Sequence, residues 1–261
     1  MFVIPSDCQF GSDRGIPTVE LSVTQYNLCD PLSGERSFSR DFGIRMTSVL
    51  THFVLVFAVV AGLADFASAQ KVSVQNGDIC ISNAGTEPKA LTSSGQDSEP
   101  ALSPDGKWIV FVRTIPGKNV NTGSGDSAAT ELWQIRADGK NPTVLVRYRN
   151  SDKIETVLGG FSKPQFSTNG RYVFFLSDAW ATSGALHVVD TTNGKEHFVC
   201  PGGNFEVVLS GEYRDCLLVA QHRYFIAGGA YDWFWLLRPD GKEIGPVGEN
   251  TENFKTTFLK E

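Results

Sequence analysis

The segment best furnished to grip a ligand is Tyr231-Asp232-Trp233-Phe234-Trp235. In a strand, alternation puts Tyr231, Trp233 and Trp235 on one face and Asp232 and Phe234 on the other. Such a row can stack on a sugar or clamp a peptide, because Tyr and Trp rings supply area with a polar tip. The same row can instead fill the wedge between two sheets as core. Asp97 and Glu99 stand at the start of a first strand, where they would line a channel. Two carboxylates there could serve as acid and base on a glycan. Asp126 and Glu131 edge a Gly/Ser-rich loop over 116–127, and solvated surface charge is the competing reading for all four acids.

Other chemistry is poorly represented. Cys8 and Cys29 lie in the leader, leaving Cys80, Cys200 and Cys216. Cys200 closes one unit and Cys216 opens the next, so a bridge between them is one expectation, and three buried thiols the other. Their spacing fits no zinc pattern. His52, His187, His197 and His222 are scattered and read as surface or half-buried positions, His52 within the apolar leader segment. There is no Gly-x-Ser-x-Gly and no His-Glu-x-x-His. Gly123-Ser124-Gly125-Asp126 has the wrong spacing, and Pro201-Gly202-Gly203-Asn204 reads as a turn with no helix after it. No catalytic residue, metal or cofactor is therefore assigned. The formal charge of −6 and a pI of 5.3 leave no basic stripe for nucleic acid.

The elements that must carry these residues are strands. Ser103-Pro104-Asp105-Gly106-Lys107 is a tight turn, and Trp108-Ile109-Val110-Phe111-Val112 a β-branched and aromatic strand. The phrase returns as Lys163-Pro164-Gln165-Phe166-Ser167-Thr168-Asn169-Gly170-Arg171 followed by Tyr172-Val173-Phe174-Phe175-Leu176, and in a worn form over 205–219. Five turns share [Asp/Asn]-Gly-[Lys/Arg], beginning at 105, 138, 169, 193 and 240. An Asx-Gly pair between apolar runs is the strongest short hairpin signal. The turns alternate in context, which makes two hairpins, hence four strands, per unit of about 50 residues; that is the pattern of a propeller blade.

Glu99-Pro100-Ala101-Leu102-Ser103-Pro104-Asp105-Gly106-Lys107-Trp108-Ile109-Val110-Phe111, continued by Leu132-Trp133-Gln134-Ile135-Arg136-Ala137-Asp138-Gly139, resembles the repeat of the TolB-type β-propellers. The resemblance implies a propeller, export to the periplasm or beyond, and a scaffold that binds partners without chemistry of its own. The expectation is an all-β domain over 70–261, a small propeller of three to four four-stranded blades. A strand over 254–259 could join 78–92 and close a four-blade ring; an open arc, or a homo-oligomer completing itself, is the alternative. The functional expectation is a non-catalytic module for a protein or cell-envelope partner, with a glycan-acting hydrolase or lyase as the rival.

Ahead of this domain, residues 1–45 are polar and without periodicity. A 16-residue apolar run over 49–64 then leads to Ala67-Ser68-Ala69-Gln70, the pattern of a secretory signal cleaved after Ala69. It is short for a span of about 20 residues, so no stable membrane span is expected in the mature form. Met46 is the expected start, with 1–45 an over-extended leader; the rival is a cytoplasmic tail on an uncleaved anchor, Arg40 and Arg45 marking the inner side. Removal of 1–69 leaves a charge of about −3. Mass spectrometry of the natural protein is expected to find an N-terminus at Gln70; a mature peptide from 1–45 is the contrary result.

Overall fold

One device forms all five Asx-Gly turns in the computed structural model, which describes residues 70–259. The Asx Oδ1 accepts the backbone N–H two residues on: Asp105 from Lys107 at 3.1 Å, Asp138 from Lys140 at 3.0 Å, Asn169 from Arg171 at 2.9 Å, Asn193 from Lys195 at 2.8 Å and Asp240 from Lys242 at 3.0 Å. The glycine that follows the Asx takes φ between +68° and +86°, the left-handed region that side chains resist. At Gly241 a Cβ would also stand 2.5 Å from the Val199 carbonyl oxygen. Two turns carry a further clamp. The Ser103 hydroxyl donates to Asp105 and accepts from the Trp108 N–H; Ser167 does the same with Asn169 and Tyr172. That is the physical reason for the serine in both copies of the phrase.

With these turns at five of its hairpins, the chain forms four successive antiparallel meanders. Sheet 1 holds β1 (Lys71–Gln75), β2 (Asp78–Ser82) and β3 (Lys89–Ala90). Sheet 2 holds β4 (Asp97–Leu102), β5 (Trp108–Thr122), β6 (Gly125–Arg136) and β7 (Thr143–Val146). Sheet 3 holds β8 (Ser162–Phe166), β9 (Tyr172–Ser177), β10 (Gly184–Asp190) and β11 (Glu196–Gly202). Sheet 4 holds β12 (Asn204–Val207), β13 (Leu217–Tyr224), β14 (Ala230–Leu237) and β15 (Glu243–Gly248). First strands adjoin in the order β1, β4, β8, β12. The architecture is thus all-β and built of blade-like sheets, as the turn spacing predicts.

Alternation along the central strands supplies both faces of each sheet. Ile109 and Phe111 pack toward sheet 1 with Ile79, whereas Val110 and Val112 pack toward sheet 3 with Phe166, Val173 and Phe175. Phe174, Leu176 and Val188 face sheet 4 and meet Phe205, Val219 and Leu237. Burying one such side chain contributes about 1.5–3 kcal/mol, so these three layers hold the stack together.

Two expectations need correction. The 116–127 stretch is not a loop: β5 and β6 continue through it as a long ribbon, paired as far as Thr122 and Gly125. Its tip is held down, because the Asn121 N–H bonds Asn150 and Gly123 lies against the Ala179 carbonyl. Residues 254–259 do not form a strand. A helical turn over Glu252–Phe254 (α1) widens into π geometry over Lys255–Leu259. Phe254 and Phe258 then share one helical face and pack on Tyr213, with Phe254 buried beside Leu218 and Leu236 on the outer face of sheet 4. The chain's own helical turn covers part of that face, so among the described residues sheet 1 has three strands and residues 254–259 do not join it. The leader and signal expected over 1–69 lie outside the described residues.

Several carboxylates contribute through these turns and ladders. The Ser103 hydroxyl and Lys107 N–H hold Asp105 below its ordinary range. Arg171, then Thr192, hold Asp190 well below it. Burial pushes Glu196 up, but its bonds from His187 and Arg149 outweigh that and leave it low. A carboxyl depressed by folding adds stability above its unfolded value of about 4 and loses it as pH falls through the folded value. The thermal midpoint is expected to fall progressively below about pH 4; a midpoint that rises on acidification would contradict these contacts.

Candidate functional site

On the side of the molecule where β4 turns into β5 and β8 into β9, sheets 2, 3 and 4 leave two adjoining depressions. One, of about 660 Å³, lies between the turns of sheets 2 and 3 and is lined by Pro104, Trp108, Gln134, Phe166 and Arg171, among others. The other, of about 540 Å³, runs along the first strands and is lined by Leu102, Gln165, Val207, Leu209 and Arg214, among others. Both include Pro104, Phe166 and Thr168, so they form one continuous concavity. Trp108 is placed by its position just after the Gly106 turn, and Phe166 by the same logic at the end of β8. Leu209 follows β12 and is 67% exposed.

The charges around this concavity are already paired. Arg171 bonds Asp190 at 2.8 Å, Arg136 lies 5.5 Å over the Trp108 ring, and Lys255 bonds Glu206 at 2.8 Å. The Arg214 guanidinium donates to the Thr168 hydroxyl at 2.9 Å, and Asp215 accepts from that hydroxyl and from the Thr168 N–H. Among the described residues, neither the Gln134 amide nor the Trp108 indole N–H has an intramolecular hydrogen-bond partner. The surface offers apolar area with two free polar groups. That suits recognition of a chain segment better than bond-breaking, which needs a base within reach of a nucleophile.

The acids singled out in the sequence have structural duties. Asp97 is 2% exposed and takes a two-bond fork from Arg113, at 2.6 and 2.9 Å, tying β4 to β5. The Arg113 guanidinium lies 4.4 Å over Trp133, and its pKa is raised by the Asp97 bond. Glu99 sits at a bulge with φ +49° and accepts the backbone N–H of Lys163, the matching position of sheet 3, where φ is +52°. Lys163 in turn reaches Asn204 of sheet 4 at 2.7 Å. These contacts latch each first strand to the next. Glu99 and Asp126 are exposed, as the solvated reading has it, whereas Glu131 is 5% exposed and bonds the Trp133 indole and Arg147.

The aromatic row divides. Tyr231, Trp233 and Trp235 do share one face of β14, but Trp235 packs into the layer between sheets 3 and 4 under the Arg223 guanidinium, 3.6 Å from its ring. Tyr231 and Trp233 lie farther out, their rings 5.1 Å apart, with Phe225 against Tyr231 at 4.6 Å. The row belongs to sheet 4 and the two acids to the first strand of sheet 2, so the structure does not bring them together. Cys200 and Cys216 are free thiols in separate clusters on opposite faces of sheet 4, and Cys80 is a third. Burial pushes the Cys200 thiol up to about 12 and Cys216 upward. His187 is fully buried rather than half-buried, bonded through Nδ1 to Glu196 at 2.6 Å; its place in the apolar run Ala185–Val189 was the available signal. Among the described residues no group of His, Cys, Asp and Glu is placed to hold a metal.

No protein-family model matches the chain, and no curated protein sequence does. Solved structures similar to it include dipeptidyl peptidase 4 from Porphyromonas gingivalis, at 9% identity over 70% of this chain and 31% of that one, with a TM-score of 0.44. The β-propeller domain of the Trilobed protease from Pyrococcus furiosus is similar at 15% identity over 64% and 47%, TM-score 0.43. TolB from Acinetobacter baumannii is similar at 13% identity over 74% and 56%, TM-score 0.32. The chain thus spans less than two thirds of each of these chains. The blade architecture stands on the sheet topology itself.

Because Asp97 is buried in an ion pair, Asp97→Ala leaves Arg113 without its partner. The expected loss is about 3–5 kcal/mol of stability, read by urea unfolding. A loss below about 1 kcal/mol would place Asp97 outside the structural framework.

Proposed function

We propose that the chain is an exported, non-catalytic binding module, and that it receives a protein or cell-envelope partner in the concavity at the turn end of sheets 2, 3 and 4. The observation that carries this reading is a contrast. Asp97, Glu99 and Glu206, the carboxylates nearest the first strands, are each committed to a structural contact, while Trp108, Gln134 and Leu209 are open to a partner. Function on a scaffold of rigid sheets sits on what the loops present. The resemblance of the 99–111 phrase to the TolB-type repeat agrees with a binding role and with a place in the periplasm or outside the cell. A glycan-acting hydrolase or lyase would need two unengaged carboxylates beside an aromatic platform; the aromatic row and the two acids lie on different sheets.

Leu209→Asp tests the reading with little risk to folding, because an exposed position changes stability by about 0.5 kcal/mol or less. Full-length protein is cross-linked in cells or in periplasmic extract, and captured partners are compared between wild type, Leu209→Asp and Gln134→Ala. The expected result is a partner captured by wild type and weakened about tenfold in Leu209→Asp, as for a central apolar contact. Equal capture by all three proteins would remove the concavity as the binding site.

A further inference from the structure

Three large aromatic side chains of sheet 4 stand outside the layers that hold the stack together. β13 pairs with β14 along its length, placing Trp235 opposite Val219, Trp233 opposite Gln221 and Tyr231 opposite Arg223. Sheet 3 covers the first of these levels. Trp235 packs in the layer with Leu186, Val188 and Cys200, and Gly202 at the end of β11 lies against Val219. At the second level the Gln221 amide still reaches the Pro201 carbonyl, at 2.9 Å. β13 pairs with β12 only as far as Ala220, and β14 with β15 only from Phe234 onward, so the hairpin beyond is a two-stranded arm. On it, Trp233, Tyr231 and Phe225 belong to none of the five apolar clusters among the described residues. Trp233 and Tyr231 are half-buried, and Phe225 is 53% exposed.

These three rings form one row. Phe225 and Tyr231 lie 4.6 Å apart at 37°, and Tyr231 and Trp233 5.1 Å apart at 62°, so the row is a curved run of ring surface along the arm. Its polar tips are free: among the described residues neither the Tyr231 hydroxyl nor the Trp233 indole N–H has an intramolecular hydrogen-bond partner. The charge beside it is engaged. Arg223 lies over Trp235 and donates to Gln221 at 3.0 Å and to Glu243 at 3.3 Å.

We propose that Phe225, Tyr231 and Trp233 are a binding platform for a neutral glycan chain. The ligand must meet two conditions together: apolar surface for the ring faces, and hydrogen-bonding groups for the hydroxyl and the indole at their edges. A polar group shut away from water without a partner costs its full desolvation. A sugar ring meets both conditions, because its C–H face covers an aromatic ring while its hydroxyls, donors and acceptors alike, stand around the rim. A purely apolar partner would strand the Tyr231 hydroxyl and the Trp233 N–H. A peptide would bring backbone N–H groups, and the side-chain acceptors Gln221 and Glu243 on this face are already held by Arg223. An anionic chain calls for an unengaged cation, and the Arg223 guanidinium is paired with Glu243. Asp232 points to the opposite face, bonded to His222 at 2.8 Å, so with Glu243 also engaged the platform holds a glycan without a carboxylate poised to cleave it.

The test is titration calorimetry of the purified full chain with cellohexaose, maltohexaose, chitohexaose and the anionic hexagalacturonate at millimolar concentration. At least one neutral hexaose is expected to bind, and more tightly than hexagalacturonate. Trp233→Ala is expected to weaken that binding about tenfold, as for an aromatic anchor. Trp233→Phe keeps a ring face but no N–H and should lose less, and Tyr231→Phe reads the hydroxyl alone and should also weaken binding. Neither residue belongs to an apolar cluster, so unaltered circular dichroism spectra are expected; if Trp233→Ala fails to fold, the two phenylalanine variants carry the test. Leu209→Asp and Gln134→Ala are expected to leave sugar binding unchanged, which keeps this platform separate from the turn-end concavity. The proposal would be overturned by wild type that binds no neutral probe, by tighter binding of hexagalacturonate, or by binding that the Trp233 and Tyr231 variants leave intact.

Discussion

The constraint on which the rest depends is the bond from an Asx side chain to the amide two residues on, with a left-handed glycine following the Asx. It fixes where the strands stop and start at five of the hairpins, two in sheet 2, two in sheet 3 and the last of sheet 4. A strand has a side-chain period of two, so a slip of one residue would send every apolar side chain to the wrong face. In sheet 2 that would exchange Ile109 and Phe111 for Val110 and Val112 between two different inter-sheet layers. The turns therefore do more than reverse the chain. They set the register that lets a central strand, apolar at every position, serve two layers at once.

A second device acts across sheets. The bulges at Glu99-Pro100 and Lys163-Pro164 take the first strands out of regular pairing and aim a long polar side chain sideways. Glu99 then meets the Lys163 amide, and Lys163 meets Asn204. A non-glycine residue at positive φ costs about 1 kcal/mol or more, so these positions hold only because the neighbouring sheet returns a charge-assisted bond. Gln165 adds to the same seam: its amide donates to the Phe205 carbonyl and accepts from the Val207 N–H, as a strand backbone would. Polar groups here set the spacing between sheets, and the apolar layers supply the stabilisation.

Much of this was legible in the sequence. The five Asx-Gly turns, the doubled phrase and the four-strand unit read directly, because each rests on local chemistry within a few residues. What was not legible depended on contacts far apart in the chain. Asp97 reads as a channel acid until Arg113 is seen sixteen residues on, across the β4–β5 ladder. The 116–127 stretch reads as a loop by composition, since its ribbon is held by Asn150, Val157 and Ala179, which belong to the next unit. Phe254, Thr256 and Phe258 alternate as in a strand, yet Phe254 and Phe258 also stand one helical turn apart. The outer face of sheet 4 decides between the two readings by offering Tyr213, Leu218 and Leu236. The candidate site was the least legible part, since Trp108, Phe166 and Leu209 each look like ordinary strand residues and meet only where three sheets converge.

Sheet 4 differs from the others in a way that bears on both of its faces. Its inward face completes the same layer as every other sheet, through Phe205, Val219 and Leu237. Its first turn does not. Where sheets 2 and 3 carry a short Asx-Gly turn, sheet 4 has the longer 208–216 segment, in which Asp215 takes φ +66° to reach Thr168 of sheet 3. That segment lifts Leu209 into the concavity on one side and presents Tyr213 to the C-terminal helix on the other. The loss of the repeat's turn is thus what separates an inner surface, shared with sheets 2 and 3, from an outer one that belongs to sheet 4 alone.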